Sequence, residues 1–213
     1  MSRPLFENLA EITERLASAA NVLLFLDFDG TLTPIVEHPD MAHLPPAMYK
    51  TLGRLARRDD LIIAIISGRS RVDVQARIGI ESLIYAGNHG MEIVGPGFHF
   101  VEPTADAGQK EMHLLAQQLI ARLRHIVGAI VEYKGLTTSI HFRRTTVATR
   151  NELAQIVQTA VARNEHLFKL TKGKMVYEIR PRVDWHKGTA ARWILDNLAK
   201  NNTLTICLGD DIT

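Results

Sequence analysis

Asn21-Val22-Leu23-Leu24-Phe25-Leu26-Asp27-Phe28-Asp29-Gly30-Thr31 decides how this chain is read. Residues 22–26 form a short, unbroken apolar run. A half-solvated strand would interrupt it with polar residues. A strand buried on both faces, as in a parallel sheet, would not. The run stops at two carboxylates, a glycine able to turn sharply and a hydroxyl. Ligand sites in open parallel sheets lie beyond the carboxyl ends of the strands. The acids therefore stand where chemistry is expected.

The same shape recurs along the chain. Residues 61–66 are a second apolar run, ending in Ser67-Gly68-Arg69. Residues 83–86 are a third, ending in Gly87-Asn88-His89-Gly90, and residues 204–208 a fourth, ending in Gly209-Asp210-Asp211. Helical spacing fills the gaps. Phe6, Leu9, Ile12 and Leu16 mark a helix over 4–20. Pro45-Pro46 opens another carrying Met48, Leu52 and Leu55, and further helices are expected over 70–78 and 187–198. Strand–helix alternation of this kind predicts an α/β fold, a doubly wound Rossmann-like parallel sheet.

The pattern changes after Gly95-Pro96-Gly97. A long helix is expected over 106–126, then strands near 129–134 and 138–143, and a helix over 151–164. Strands over 168–171 and 175–179 follow, with Lys172-Gly173-Lys174 as their turn. This is a small α+β module inserted into the sheet domain, and the α/β pattern resumes after Pro181.

Composition removes several function classes. The chain has 213 residues, 46% hydrophobic and 23% charged, which is ordinary for a globular protein. The net charge of +2 offers no concentrated basic field, so nucleic acid is not the expected partner. The single cysteine, Cys207, allows no intramolecular disulfide and no all-cysteine metal site, and reads as a small core hydrophobe in a buried strand. No run is long enough to span a bilayer. Glu7, Glu11 and Glu14 argue against a secretory signal, so a cytoplasmic protein is expected. Arg54, Arg57 and Arg58 read as the solvated end of a helix, and Trp185 and Trp193 as packing residues.

Asp27-x-Asp29, Ser67-Gly68 and Asp210-Asp211 would converge on one crevice of a parallel sheet. Clustered carboxylates repel each other and lose hydration, and a divalent cation removes both costs. Oxygen-only ligands favour Mg²⁺, which takes one or two carboxylates and a substrate phosphate. Asp27 can attack phosphorus. Asp29 can protonate the leaving oxygen and later deprotonate water. Ser67 and the Gly68 N–H suit phosphoryl oxygens, and Lys187, at a helix start, can offset their charge. Taken singly, Asp-x-Asp-Gly is also a turn and Ser-Gly also a cap. Their joint order carries the argument. His89 can line the crevice or be a satisfied loop histidine, and Lys172-Gly173-Lys174 is read as a solvated turn.

The order Asp27-Phe28-Asp29-Gly30-Thr31-Leu32, Ser67-Gly68-Arg69, Lys187-Gly188 and Gly209-Asp210-Asp211 resembles the haloacid dehalogenase superfamily of phosphatases. More narrowly, the chain resembles the trehalose-6-phosphate phosphatases. That likeness rests on Thr33-Pro34-Ile35, Ala86-Gly87-Asn88-His89-Gly90, Val131-Glu132-Tyr133-Lys134, Glu178-Ile179-Arg180-Pro181 and Trp185-His186-Lys187-Gly188. The resemblance implies a core over 1–103 and 181–213 and a cap over 104–180 that closes over the sugar. It implies Asp27 as nucleophile and Asp29 as acid/base. Asp27, the Asp29 carbonyl and Asp210 would hold Mg²⁺, with Ser67, Gly68 and Lys187 on the phosphoryl group. Glu132, Lys134, Arg143 and Glu178 match cap positions that contact the disaccharide or its phosphate. The implied substrate is a small sugar phosphate, trehalose 6-phosphate first. Phosphatases of sucrose phosphate or glycosyl phosphoglycerate, or an impaired sugar-phosphate binder, are the alternatives.

The chain departs from that pattern twice. His186 stands where the family commonly has asparagine. The chain also stops within the last motif, so the resemblance implies a core truncated at its C-terminal end, lacking one acid and a covering helix.

Overall fold

The computed structural model describes residues 5–36 and 38–210, except the side chains of Leu5 and Phe6. Pro4 and Asp211, with the rest of the terminal motif, lie outside the described residues, as does the side chain of Phe6, which helical spacing placed in the first helix. In chain order the elements are α1 (Leu9–Ser18), β1 (Asn21–Asp27), α2 (Pro46–Leu55), β2 (Leu61–Ile66), α3 (Arg71–Ile78) and β3 (Ile84–Gly87). Then come β4 (Glu92–Gly95), β5 (Phe98–Val101), α4 (Pro103–Ala107), α5 (Gln109–Leu123), β6 (Ile130–Tyr133) and β7 (Thr138–His141). The chain closes with α6 (Val147–Ala162), β8 (Phe168–Gly173), β9 (Val176–Pro181), α7 (Lys187–Leu198) and β10 (Thr203–Leu208). Two compact units result: residues up to His99 with those from Trp185 onward, and Phe100–Asp184.

The first unit is built on a sheet of order β10-β1-β2-β3-β4-β5. β10, β1, β2 and β3 run parallel, and β4 returns antiparallel to β3. The order reverses beside β1. The chain adds β2 and β3 on one side, and β10 arrives much later on the other. Such a switch point opens a crevice at the strand ends. The apolar runs behave as doubly covered strands should. Leu23, Phe25, Leu26, Ile63, Ala64 and Ile65 are all buried, with α2 and α3 supplying Leu52, Val74 and Ile78. Helix α3 starts where the Ser70 hydroxyl accepts the Asp73 amide at 3.2 Å and stops at Gly79, whose φ of +68° a side chain would resist.

Several expectations are corrected. β10 is not buried on both faces. It pairs with β1 alone, its residues are half-buried or exposed, and Cys207 is exposed. Among the described residues no strand lies beyond its outer edge. In α1 no side chain is buried, and Leu9 and Leu16 are exposed despite their helical spacing. The stretch after which the pattern changes, Gly95-Pro96-Gly97, is the corner of a β4–β5 hairpin that sequence spacing did not mark, where Pro96-Gly97, with Gly97 at φ +83°, makes a two-residue turn. The long helix is broken at Gly108 into α4 and α5.

The second unit is an antiparallel sheet of order β6-β7-β9-β8 with α5 and α6 against one face. Leu115, Leu119, Leu153 and Val157 from the helices meet Ile140, Phe168, Tyr177 and Ile179 from the strands. The pleat sends alternate residues to the opposite face. In the β8–β9 hairpin, Lys172 and Gly173 belong to the strand, and the turn falls at Lys174-Met175, with Met175 at φ +65°.

Candidate active site

The site of the first unit forms at the carboxyl end of β1, flanked by β10 and β2. A cavity of about 360 Å³ opens there, lined by Asp27, Lys187, Gly188, Cys207, Leu208 and Gly209. Asp27 Oδ1 accepts the Phe28 amide at 2.8 Å, and Oδ2 accepts from Lys187 Nζ at 2.6 Å. Burial pushes the Asp27 carboxyl above its ordinary value. Lys187 and the Phe28 amide oppose the shift, and the charge of Asp210 adds to it. The pair is mostly buried, so neither charge is well hydrated.

Past Asp27 the chain turns at Gly30, with φ +84°. A Cβ built there would stand 2.0 Å from Asp210 Oδ2, so the absent side chain is what lets the Asp210 carboxylate sit over the turn. The Thr31 hydroxyl is buried with no hydrogen-bond partner among the described residues.

Ser67 is fully buried at the end of β2. Its oxygen accepts the Arg69 amide at 3.1 Å, leaving its own proton to donate. Gly68 is covered by the ring of His89, whose Cε1 lies 2.9 Å from where a Cβ would be. Asn88 and His89 both take left-handed backbone, at φ +51° and +59°. They are held there by amides donated to the Arg69 and Ser67 carbonyls at 2.7 and 2.9 Å.

Arg69 is the residue that sequence reasoning left without a role. Its Nε and Nη2 fork the Asp29 carboxylate at 2.9 and 2.7 Å, Nη1 reaches Asp73 at 3.0 Å, and Nη2 also reaches the Pro39 carbonyl at 3.0 Å. Its guanidinium lies 5.3 Å from the Phe28 ring centroid. The signal was present in Ser67-Gly68-Arg69, where an arginine directly follows two phosphate-binding candidates.

Helix α7 delivers Lys187. His186 is its N-cap, with Nδ1 accepting the Gly188 and Thr189 amides at 3.1 and 3.3 Å. That accounts for the histidine in the asparagine position. Trp185 Nε1 donates to the Gly90 carbonyl at 2.9 Å, and Ala190 fills the space a Gly90 Cβ would need.

The second unit carries its own polar group. Cross-strand register puts Glu132, Ser139, Glu178 and Thr171 in one row. Lys134 Nζ lies 3.6 Å from Glu178 Oε1, and His141 Nε2 lies 2.9 Å from Glu132 Oε2. Arg180 and Lys169 stand as partners two positions along the same strands, further residues sequence reasoning did not single out. Arg143 lies beyond β7 in an exposed turn, outside this row.

Among the described residues no group of three or more His, Cys, Asp or Glu gathers as a metal cluster. The donor set nevertheless suits a hard cation. Asp210 is close enough for its charge to raise the cost of ionising Asp27, and the absent side chain of Gly30 leaves room for the Asp210 carboxylate there. The Asp29 carboxylate is occupied by Arg69, which leaves its main-chain carbonyl for such an ion.

The trehalose-phosphatase family model matches residues 25–213. The trehalose-phosphate phosphatase of Mycobacterium tuberculosis is 40% identical over 194 residues, covering 89% of this chain and 49% of the relative. That of Mycobacterium leprae is 38% identical over 204 residues, covering 92% and 47%. The chain thus spans about half the length of the curated relatives it matches. Among solved structures, a trehalose-6-phosphate phosphatase related protein superposes with a TM-score of 0.76 at 20% identity, over 90% of this chain and 88% of the other. The Candida albicans trehalose-6-phosphate phosphatase C-terminal domain gives 0.74 at 21%, over 96% and 74%. These two establish the fold. Motif order, strand placement and family match agree: the chain belongs to the trehalose-phosphatase family.

Proposed function

We propose that the chain is a Mg²⁺-dependent phosphomonoester hydrolase that converts trehalose 6-phosphate to trehalose and inorganic phosphate in the cytoplasm. The observation that carries the reading is Asp27 at the switch point of the sheet, 2.6 Å from Lys187 and facing a cavity.

In the first step an Asp27 carboxylate oxygen attacks phosphorus. The bond to the sugar oxygen breaks, and Asp29 gives that oxygen a proton. In the second step Asp29 takes a proton from water, the hydroxide oxygen attacks phosphorus, and the acyl phosphate bond to Asp27 breaks. Lys187, the Ser67 hydroxyl and the Gly68 amide hold the phosphoryl oxygens as charge moves onto them. Arg69 keeps the Asp29 carboxylate in one orientation near the turn. Asp27, Asp210 and the Asp29 carbonyl would hold Mg²⁺, which when bound neutralises charge on the transferring group.

Residues 104–180 act as the cap in this reading. Glu132 and Glu178 accept from sugar hydroxyls, and Lys134 and Arg143 donate to the disaccharide or its phosphate. The paired Lys134–Glu178 arrangement supports it, because it sets an acceptor and a donor side by side, both mostly buried, on the sheet face opposite α5 and α6.

Phosphate release from a panel of sugar phosphates with Mg²⁺ tests the proposal. Trehalose 6-phosphate should be the best substrate, and chelation should abolish turnover. Asp27→Asn, which keeps shape and removes the attacking charge, should lower kcat by at least ~10³-fold. Near-parental turnover by Asp27→Asn, or full activity in chelator, overturns it.

A further inference from the structure

We propose that His186 is a positioning residue for Lys187, acting through the first turn of α7. The inference rests on the reading above, in which Lys187 holds the phosphoryl group. Three consecutive residues carry three separate anchors. Trp185 donates to the Gly90 carbonyl, His186 accepts from the Gly188 and Thr189 amides, and Lys187 donates to Asp27. Lys187 is the first residue of the helix. Its backbone therefore belongs to the turn that the cap closes. The opening amides of a helix have no partner within it, and a side-chain acceptor satisfies them and stops the turn from fraying.

The neighbouring glycine fits the same device. A Cβ at Gly188 would stand 3.0 Å from both Nδ1 and Cε1 of His186. Its absence gives the ring room to lie over the helix start. Nδ1 can accept those amides only through a free lone pair, so the cap requires the ring proton to sit on Nε2. Asparagine could supply an equivalent oxygen to the same amides. A side chain without an acceptor could not. Released, the turn would let the Lys187 stem shift, and the Nζ contact with Asp27 and the phosphoryl group would loosen.

The test compares His186→Asn, which keeps an acceptor, with His186→Leu, which keeps bulk and loses it, in the intact protein. Rates are normalised to the folded fraction from circular dichroism. His186→Leu should lower kcat/KM about five- to twentyfold, the scale of a lost cap contact felt at the reacting group. The loss should be equal for trehalose 6-phosphate and an aryl phosphate, because both present the same phosphoryl group. The Ki of orthovanadate, a phosphoryl transition-state mimic, should rise by a similar factor. His186→Asn should stay within about twofold of the parent in all three measurements. Unchanged vanadate inhibition in His186→Leu, or an equal defect in His186→Asn, overturns the inference. If His186→Leu fails to fold, His186→Ala serves in its place, a smaller side chain that likewise supplies no acceptor and caps helices poorly. Full activity of His186→Ala then overturns it. Asp27→Asn runs alongside: if it turns over normally, the functional reading has failed, and that result is distinct from any behaviour of His186.

Discussion

Arg69 joins parts of the site that are far apart in sequence. Its fork on Asp29 spans forty positions and its bond to Asp73 spans four. Removing it would leave two carboxylates without their shared donor. Arg69→Met should therefore cost about 1–3 kcal/mol of stability, the penalty for unpairing partly buried polar groups. It should also lower kcat by freeing Asp29 to rotate. Urea denaturation and steady-state rates check both, and an unchanged melt with unchanged kcat would show that Asp29 needs no such support. Gly30 presents a different dependence. At φ +84° and beneath the Asp210 carboxylate, it admits no side chain without displacing that acid. Gly30→Ala should weaken Mg²⁺ activation by tenfold or more, read as the concentration giving half-maximal rate, an effect of order 1–2 kcal/mol.

Helices and strands with long, regular patterns were legible before any coordinates. α7 runs over 187–198 as expected, and β2 over 61–66, because apolar spacing and continuity are local properties. What escaped notice depended on partners remote in sequence. β4 and β5 have four residues each, too few for alternation to stand out, although Pro96-Gly97 was a turn signal. The exposure of β10 could not be read from its residues, since burial depends on what packs against a strand. At the site, Asp27, Ser67 and Lys187 were visible as strand-end and helix-start residues, whereas the left-handed Asn88-His89 turn and the fork of Arg69 follow from tertiary contact. Helix α3 carries a pH consequence. Burial alone would raise the Asp73 carboxyl, but bonds from Arg77 and Arg69 outweigh it and hold it below the ordinary 3.8. Its stabilisation is present above about that pH and is lost as pH falls through the lower folded-state value. Asp73→Asn should flatten the acid limb of the stability curve below about pH 4, measured by melting temperature across pH 2–6.

Across the whole molecule the two units divide the proposed work. The first holds the groups proposed to react, and the second offers Glu132 and Glu178 in one cross-strand row with Lys134 beside Glu178. Glu178→Ala should reduce kcat/KM for trehalose 6-phosphate by roughly 1–3 kcal/mol, the cost of leaving a buried polar partner unpaired. A small aryl phosphate, which makes no contact with that row, should lose much less. Equal losses on both substrates would assign Glu178 to the fold of its own unit.

The strand order also sets a timetable for the nascent chain. Asp27 emerges early, but its lysine partner follows 160 residues later, and Asn202 must still reach back 184 residues to the Ser18 carbonyl. Closing a loop of that length costs about 4–5 kcal/mol of chain entropy on logarithmic scaling. No local contact can offset it in advance, because β1 meets β10 only after everything between them has been synthesised. The antiparallel unit within that loop pairs strands that are neighbours or near neighbours in sequence, so it can collapse while translation continues. On the ribosome, the part proposed to read the sugar would be in place before the part proposed to cut the phosphate is complete.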